Sequence, residues 1–336
     1  MKINKTLLLQ LIRFKIYNHN KPILNLFNFI KNKLTNIAYI KPPIKWIGGK
    51  TQIIEKIISR LPNEINNYHE LFLGGGSVLL ALLQNIENNR IIVYNNIYAY
   101  DINEPLISLY KNIQKYPKDI IKEITKIIDV YNSIKNIDII RKPKNLEEAL
   151  TSQESYYYWI RKEFNNLTKE QKNSILGTAY FIFLNKTCFR GMYREGPNGY
   201  NVPFGNYANP EIINEAHIFK ISKLIKNVNF IHSTFENSFN NIKENDFIYL
   251  DPPYAPENLK SFVGYTKNGF NLEQHKLLFE KCKNHKFLMS NADVDLVKES
   301  FKDKKYIIKI ILCKRAINSK NPESKTNEVL ITSFNI

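Results

Sequence analysis

Cysteine is scarce in this chain of 336 residues: Cys188, Cys282 and Cys313 are the only three, and they lie far apart. An odd, widely spaced set excludes a disulfide framework and suits a reducing compartment. No cluster has zinc-ligand spacing, so no metal is expected. No apolar run reaches the length of a membrane span, so no membrane is expected either. Acidic residues are missing altogether from residues 1–40, which carry several lysines and apolar patches such as Leu7-Leu8-Leu9. A basic leader of that kind fits a targeting peptide, a surface-binding helix or a loosely ordered extension. Residues 1–40 are expected to be a dispensable, poorly ordered extension.

Against these absences stands a surplus of positive charge. Lys plus Arg number 48 against 31 for Asp plus Glu, a formal net charge of +17. Such a surplus favours a polyanionic partner through phosphate neutralisation and counterion release. Lys, Asn and Ile are abundant throughout, as an AT-rich genome also produces, so charge alone does not decide the matter. Hydrophobic residues make up 43% of the chain, enough for one large core, or one core and a subdomain.

Beyond the leader the pattern alternates. Tyr68-His69-Glu70-Leu71-Phe72-Leu73 reads as extended and runs into three glycines, after which Ser77 to Leu83 is apolar at helical spacing. Tyr98-Ala99-Tyr100 ends at Asp101, and Asp246 to Leu250 is a short buried strand ending at Asp251. Lys286 to Met289 and Tyr306 to Leu312 are further strands, whereas Tyr116–Ile140 and Ser155–Leu167 carry helical periodicity. The fold class is therefore α/β, with a doubly wound, Rossmann-like sheet. In such sheets functional residues lie just past the carboxyl ends of strands. The composition shift over residues 111–226 predicts an inserted, mainly helical subdomain, dividing the remainder into 41–110 and 227–336.

Three stretches carry chemistry. Lys45-Trp46-Ile47-Gly48-Gly49-Lys50 combines a tight turn with a flat apolar face and cationic tips; a plain loop opening a helix explains it equally well. Phe72-Leu73-Gly74-Gly75-Gly76-Ser77 joins a strand to a helix, where missing side chains let a nucleoside approach the helix start. Asp101 then stands at a suitable distance to accept from ribose hydroxyls, although the spacing is not G-x-G-x-x-G. Asp251-Pro252-Pro253-Tyr254 is the most informative. An aromatic amine is a poor nucleophile because its lone pair is delocalised into the ring. A carboxylate on Asp251 and the carbonyl of Pro252 would hold such an amine in line with a methyl donor and favour a pyramidal nitrogen. The two prolines stiffen the backbone and have no N–H to donate, and Tyr254 can stack on a base. His69, His232 and His275 are read as packed or exposed residues rather than catalysts.

In this order, these stretches resemble the Dam-type DNA adenine methyltransferases over roughly residues 42 to 334. The resemblance implies S-adenosyl-L-methionine as cofactor, held by Trp46, Lys50, Phe72, Gly74, Gly75, Gly76, Ser77, Asp101, Thr234, Phe235 and Asp251. It implies catalysis by Asp251, Pro252, Pro253 and Tyr254 on the N6 amine of a flipped adenine. Phe183 to Arg194, followed by Asn201-Val202-Pro203-Phe204-Gly205-Asn206-Tyr207, is similar to the family's target-recognition hairpin. By that likeness Arg194 reads a base edge, most naturally guanine, Met192 and Pro203 make apolar base contacts, Tyr207 wedges into the stack and Lys45 touches the duplex. Arg190 stands where the Dam pattern has Asn, which leaves GATC and related sites such as CATG open. Thr234-Phe235 replaces the Asp-Phe pair of many relatives at the cofactor adenine. Ser290-Asn291 resembles a motif beside the catalytic loop, and Arg315 and Glu328 fall in a closing hairpin.

Double-stranded DNA is thus the expected partner. A monomer is the expected form, located in the cytoplasm or wherever the genome resides rather than secreted. A cognate restriction endonuclease and a solitary role are both compatible with the resemblance. Two rival readings are an RNA base methyltransferase and a catalytically inactive DNA-binding relative. Asp251 buried in a salt link remote from the glycine loop would contradict the methyltransferase reading.

Overall fold

A computed structural model of the chain describes residues 38–256, 270–314 and 325–334. Ile40–Ile336 forms one compact unit, and the architecture below is that of this unit. The expected leader lies outside the described residues except for its last three, and Arg315 lies outside them as well.

Seven strands form the central sheet: β1 (Tyr68–Glu70), β2 (Ile97–Asp101), β3 (Val228–His232), β4 (Phe247–Leu250), β5 (Lys286–Ala292), β6 (Ile307–Lys314) and β7 (Lys325–Thr332). Their spatial order is β6-β7-β5-β4-β1-β2-β3. β1 to β5 run parallel to one another, and β7 is antiparallel to both β5 and β6. The chain starts at β1, winds outward through β2 and β3, then returns to lay β4 on the other side of β1. The switch in direction therefore falls between β1 and β4, where an open α/β sheet leaves a crevice at its carboxyl edge. The loops following these two strands are Leu71–Gly76 and Asp251–Tyr254, the two most distinctive stretches of the sequence.

Local chemistry accounts for the elements. All four residues of β4 are buried, as a parallel strand covered on both faces requires. Helix α1 (Ser77–Glu87) buries every residue from Val78 to Asn85, so its apolar character runs round the helix rather than along one stripe. Each fully buried Leu, Ile or Phe of this kind contributes about 1.5–3 kcal/mol. Helix α2 (Glu104–Lys115) begins where the Asn103 side chain accepts from the Leu106 N–H at 2.9 Å, with Pro105 in the first turn; both are helix-start signals.

Between β2 and β3 the chain is mainly helical. Helices α3 (Pro117–Ser133), α4 (Gln153–Asn166), α5 (Ile175–Thr187) and α6 (Glu215–Leu224) follow α2, with α5 packed against α2, α3 and α4. The helical pattern read over Tyr116–Ile140 is cut short at Ser133. Beyond it Ile137 and Ile139 are exposed, and the chain turns extended to bind the start of α4, with Ile137 N–H on the Thr151 carbonyl at 2.9 Å and Ile140 N–H on Ser155 Oγ at 2.7 Å. The extended reading of Tyr68–Leu73 likewise shortens: β1 ends at Glu70, although Leu71 and Leu73 still donate to the carbonyls of Tyr249 and Tyr100 in the flanking strands.

All three cysteines are buried and free. Among the described residues no group of three or more His, Cys, Asp or Glu side chains could hold a metal ion. Among them, too, no helix is long and apolar enough to cross a membrane.

Candidate active site

The glycine loop is shaped by the protein's own rings. Gly74 and Gly76 have φ of +49° and +74°, in the left-handed region that costs other residues energy. A Cβ on Gly75 would lie 2.9 Å from Trp46 Cβ, and one on Gly76 would lie 2.3 Å from the Tyr110 hydroxyl oxygen. That hydroxyl donates to the Gly75 carbonyl at 2.6 Å. The bare backbone thus admits Trp46 on one side and Tyr110 on the other. Asp101, at the end of β2, ties the loop down. Its Oδ2 accepts from Gly74 N–H at 2.9 Å and its Oδ1 from Asn103 N–H at 2.8 Å. Burial raises its carboxyl above the ordinary range, opposed by these backbone donors.

Beside the loop lies an aromatic wall. Phe72 stacks on Phe235 at 6.0 Å between centroids and meets Phe270 edge-on, while Phe235 and Phe270 are 5.5 Å apart. Thr234 caps the short helix Phe235–Ser238, accepting from Asn237 N–H at 3.4 Å, so its hydroxyl is engaged within the chain.

Asp251 follows β4, next door. Its Oδ2 pairs with Lys50 Nζ at 2.8 Å, the two side chains being 17% and 6% exposed. Lys50 also donates from Nζ to the Gly48 carbonyl at 2.6 Å, and its backbone N–H reaches Ser77 Oγ at 3.2 Å. The salt link is real, but it is anchored at the first residue after the glycine loop and so is not remote from it. Asp251 Oδ1 is buried and no donor among the described residues reaches it. Burial pushes the Asp251 carboxyl up to about 6, with Lys50 opposing and Glu328 adding to the rise. Beneath it Glu70, at the end of β1, is pushed up to about 8 by burial, which the Tyr68 hydroxyl at 2.8 Å partly offsets.

Two neighbouring strands pin the loop after Asp251. The Ala255 N–H donates to Asn291 Oδ1 of β5 at 3.1 Å, and the Tyr254 hydroxyl donates to Glu328 Oε2 of β7 at 2.8 Å. The Lys50 ammonium sits 4.9 Å from the centroid of the Tyr254 ring. Pro252 is buried and Pro253 partly so.

Of the residues read as DNA-contacting, Lys45 and Tyr207 meet directly. Asn185 of α5 clamps Lys45 from both sides, accepting from its N–H and donating to its carbonyl, each at 2.8 Å, and it also donates to the Gly191 carbonyl at 3.3 Å. The Lys45 ammonium lies 4.0 Å above the Tyr207 ring. Arg194 is exposed and held in a fork, Nε on Asn201 Oδ1 at 2.6 Å and one terminal nitrogen on the Asn201 carbonyl at 3.2 Å. Arg190 is exposed, at φ +56°, with its guanidinium 5.1 Å from the Phe189 ring. Pro203 is exposed, and its carbonyl accepts from Phe189 N–H at 2.8 Å. Met192 is half-buried and its carbonyl accepts from the Tyr200 hydroxyl at 3.2 Å. Trp46, which lies against the glycine loop, also stacks on Tyr193 at 5.8 Å.

Sequence reasoning missed four residues that build the site. Phe270 completes the aromatic wall, Tyr110 supports the glycine loop, Asn185 fixes Lys45, and Tyr193 backs Trp46. Asn185 and Tyr193 lie within the Phe183–Arg194 stretch but were given no role there, while Phe270 and Tyr110 stand in no motif and only packing shows them.

The family model for D12 class N6 adenine-specific DNA methyltransferases matches residues 46–315. The chain is 36% identical over 310 residues to "Type II methyltransferase M.MjaIII" of Methanocaldococcus jannaschii, covering 88% of this chain and 99% of that protein. It is 31% identical over 299 residues to "DNA adenine methylase" of Haemophilus influenzae, covering 85% and 90% of the two chains. To "Type II methyltransferase M1.LlaDCHI" of Lactococcus lactis it is 26% identical, over 90% and 98%.

Proposed function

The chain belongs to the D12 class of N6 adenine-specific DNA methyltransferases, and from that premise we propose that it methylates an adenine rotated out of a short duplex site, GATC or a relative such as CATG, using S-adenosylmethionine. One observation carries the reading. Asp251 has one oxygen engaged by Lys50, the other buried and without a donor among the described residues, and both lie beside the glycine loop at the switch point of the sheet.

An exocyclic amine has two N–H groups. Oδ1 of Asp251 accepts one and the Pro252 carbonyl accepts the other, which fixes the nitrogen and draws its lone pair out of conjugation. Lys50 opposes the effect of burial on Asp251 and so favours the ionised, accepting form. The Lys50 ammonium lies against the Tyr254 ring, and a base stacks on the opposite face. An amine in a stacked duplex cannot reach these groups, so the adenine must leave the stack.

S-adenosylmethionine, when bound, supplies a methyl group on a cationic sulfonium. The residues present fit such a group. Phe72 and Phe235 offer ring surface to its adenine, and Asp101 retains lone pairs for ribose hydroxyls. Gly74, Gly75, Gly76, Ser77, Trp46 and Lys50 frame the loop, and Thr234 stands at its rim. The catalytic domain would be 41–110 with 227–336, and the target-recognition domain 111–226. In the latter Arg190, Met192, Arg194, Pro203 and Tyr207 contact the duplex, joined by Lys45 from the catalytic domain, with Arg194 on guanine through a bidentate fork. Relatives named type II methyltransferases support a cognate restriction endonuclease as companion.

Changing Asp251→Ala tests the proposal. Binding of duplex DNA should persist while methyl incorporation into an adenine-containing duplex is lost. Full activity of the variant would overturn the assignment.

A further inference from the structure

Resting on the role proposed for Tyr254 in stacking the target base, we infer that Glu328 is a positioning residue that fixes the Tyr254 ring through its phenolic hydroxyl. Glu328 is the fourth of the eight residues of β7, paired in register with Ala292 at the end of β5. Because β7 runs antiparallel to β5, its first residues, not its last, reach the carboxyl edge of the sheet where the reaction takes place. The inverted strand therefore delivers a carboxylate to the catalytic loop from a position at which parallel strands begin far away.

The contact is a hydrogen bond of 2.8 Å from the Tyr254 hydroxyl to Oε2 of Glu328, with both side chains partly buried. Burial and the nearby carboxylates raise the Tyr254 phenol well above its ordinary range, so it remains a neutral donor. A bond from a neutral donor to a carboxylate is stronger than one between neutral groups. The next residue is held too, through Ala255 N–H on Asn291 at 3.1 Å. Backbone and ring tip are thus anchored on adjacent strands, while the Lys50 ammonium rests against the ring. Three restraints leave the remaining ring face at a set angle before any base arrives, and a base that stacks there loses less freedom than on a mobile ring.

The test is a double-mutant cycle on the full chain with a duplex carrying 2-aminopurine at the target adenine. Glu328→Ala should lower kcat by roughly tenfold, the loss expected for a charge-assisted hydrogen bond, and should reduce the fluorescence gain that reports the flipped base. Glu328→Gln keeps an acceptor oxygen and should recover most of both signals. Tyr254→Phe should match Glu328→Ala, and combining the two should add little. Additive losses, or a Gln variant as poor as Ala, would overturn the inference. Asp251→Ala is run in parallel. If it stays active, the catalytic reading itself fails; if it is inactive while the cycle is additive, only the role of Glu328 fails.

Discussion

The Lys50 ammonium and the Asp251 carboxylate form a partly buried ion pair, Nζ to Oδ2 2.8 Å, and this pair couples the loop after β4 to the loop after β1. Burial alone favours a protonated Asp251; the lysine works against it. The balance between these two effects sets the pH range in which the acceptor exists.

Methylation should therefore lose its acceptor in acid. Asp251 accepts from an amine only when ionised, so kcat/KM measured against pH should fall below about 6. Lys50→Met removes the opposing charge and should raise the Asp251 pKa further, moving that limb to higher pH and lowering activity at neutrality. A limb that stays in place or moves to lower pH would contradict the coupling.

Glu70 should make the fold less stable as pH rises. Its folded pKa, about 8, lies above the ordinary 4.5, so between these values the folded state holds a proton that the unfolded state has released. Its contribution is complete below about pH 4.5 and is lost as pH climbs through about 8. Denaturant melts should show Glu70→Gln gaining on wild type across this window, with a slope approaching about 1.4 kcal/mol per pH unit. A constant difference between the two proteins would refute the assignment.

Gly76→Ala should destabilise the protein by more than about 1 kcal/mol, since the new residue would sit at positive φ. Its Cβ would also lie 2.3 Å from the Tyr110 hydroxyl oxygen and 2.9 Å from Cζ. Adding Tyr110→Phe removes only the closer atom, so thermal unfolding should show partial recovery.

Arg194→Ala should cost about 1–3 kcal/mol at one base pair and relax the site there, leaving other positions intact. Asn201→Ala should give a weaker version of the same change, because Asn201 holds the guanidinium through its side chain as well as its backbone. Methylation-sensitive sequencing of a randomised duplex library would detect either. An unchanged site preference would remove Arg194 from base readout.

Much of the chain is legible in its sequence. The strand–glycine–helix transition at Glu70–Ser77 and the buried strand before Asp251 are local patterns, set by side-chain period and backbone freedom. The readings that needed revision were those in which a distant partner took over the backbone. Ile134–Ile140 leaves the helical path because Thr151 and Ser155 offer it hydrogen bonds. Asp101 also takes a role that the sequence does not show, as the anchor of Gly74.

By itself the sequence determined which groups are available: a carboxylate followed by two prolines and a tyrosine, a bare glycine backbone, and a surplus of positive charge. Tertiary structure decided which of them meet. Strand order places β1 beside β4, so Lys50 can touch Ser77 and Asp251 at once, and the reversal of β7 brings Glu328 to Tyr254. Such pairings depend on long-range packing and on the dielectric inside it, and neither quantity is carried by any short stretch of chain.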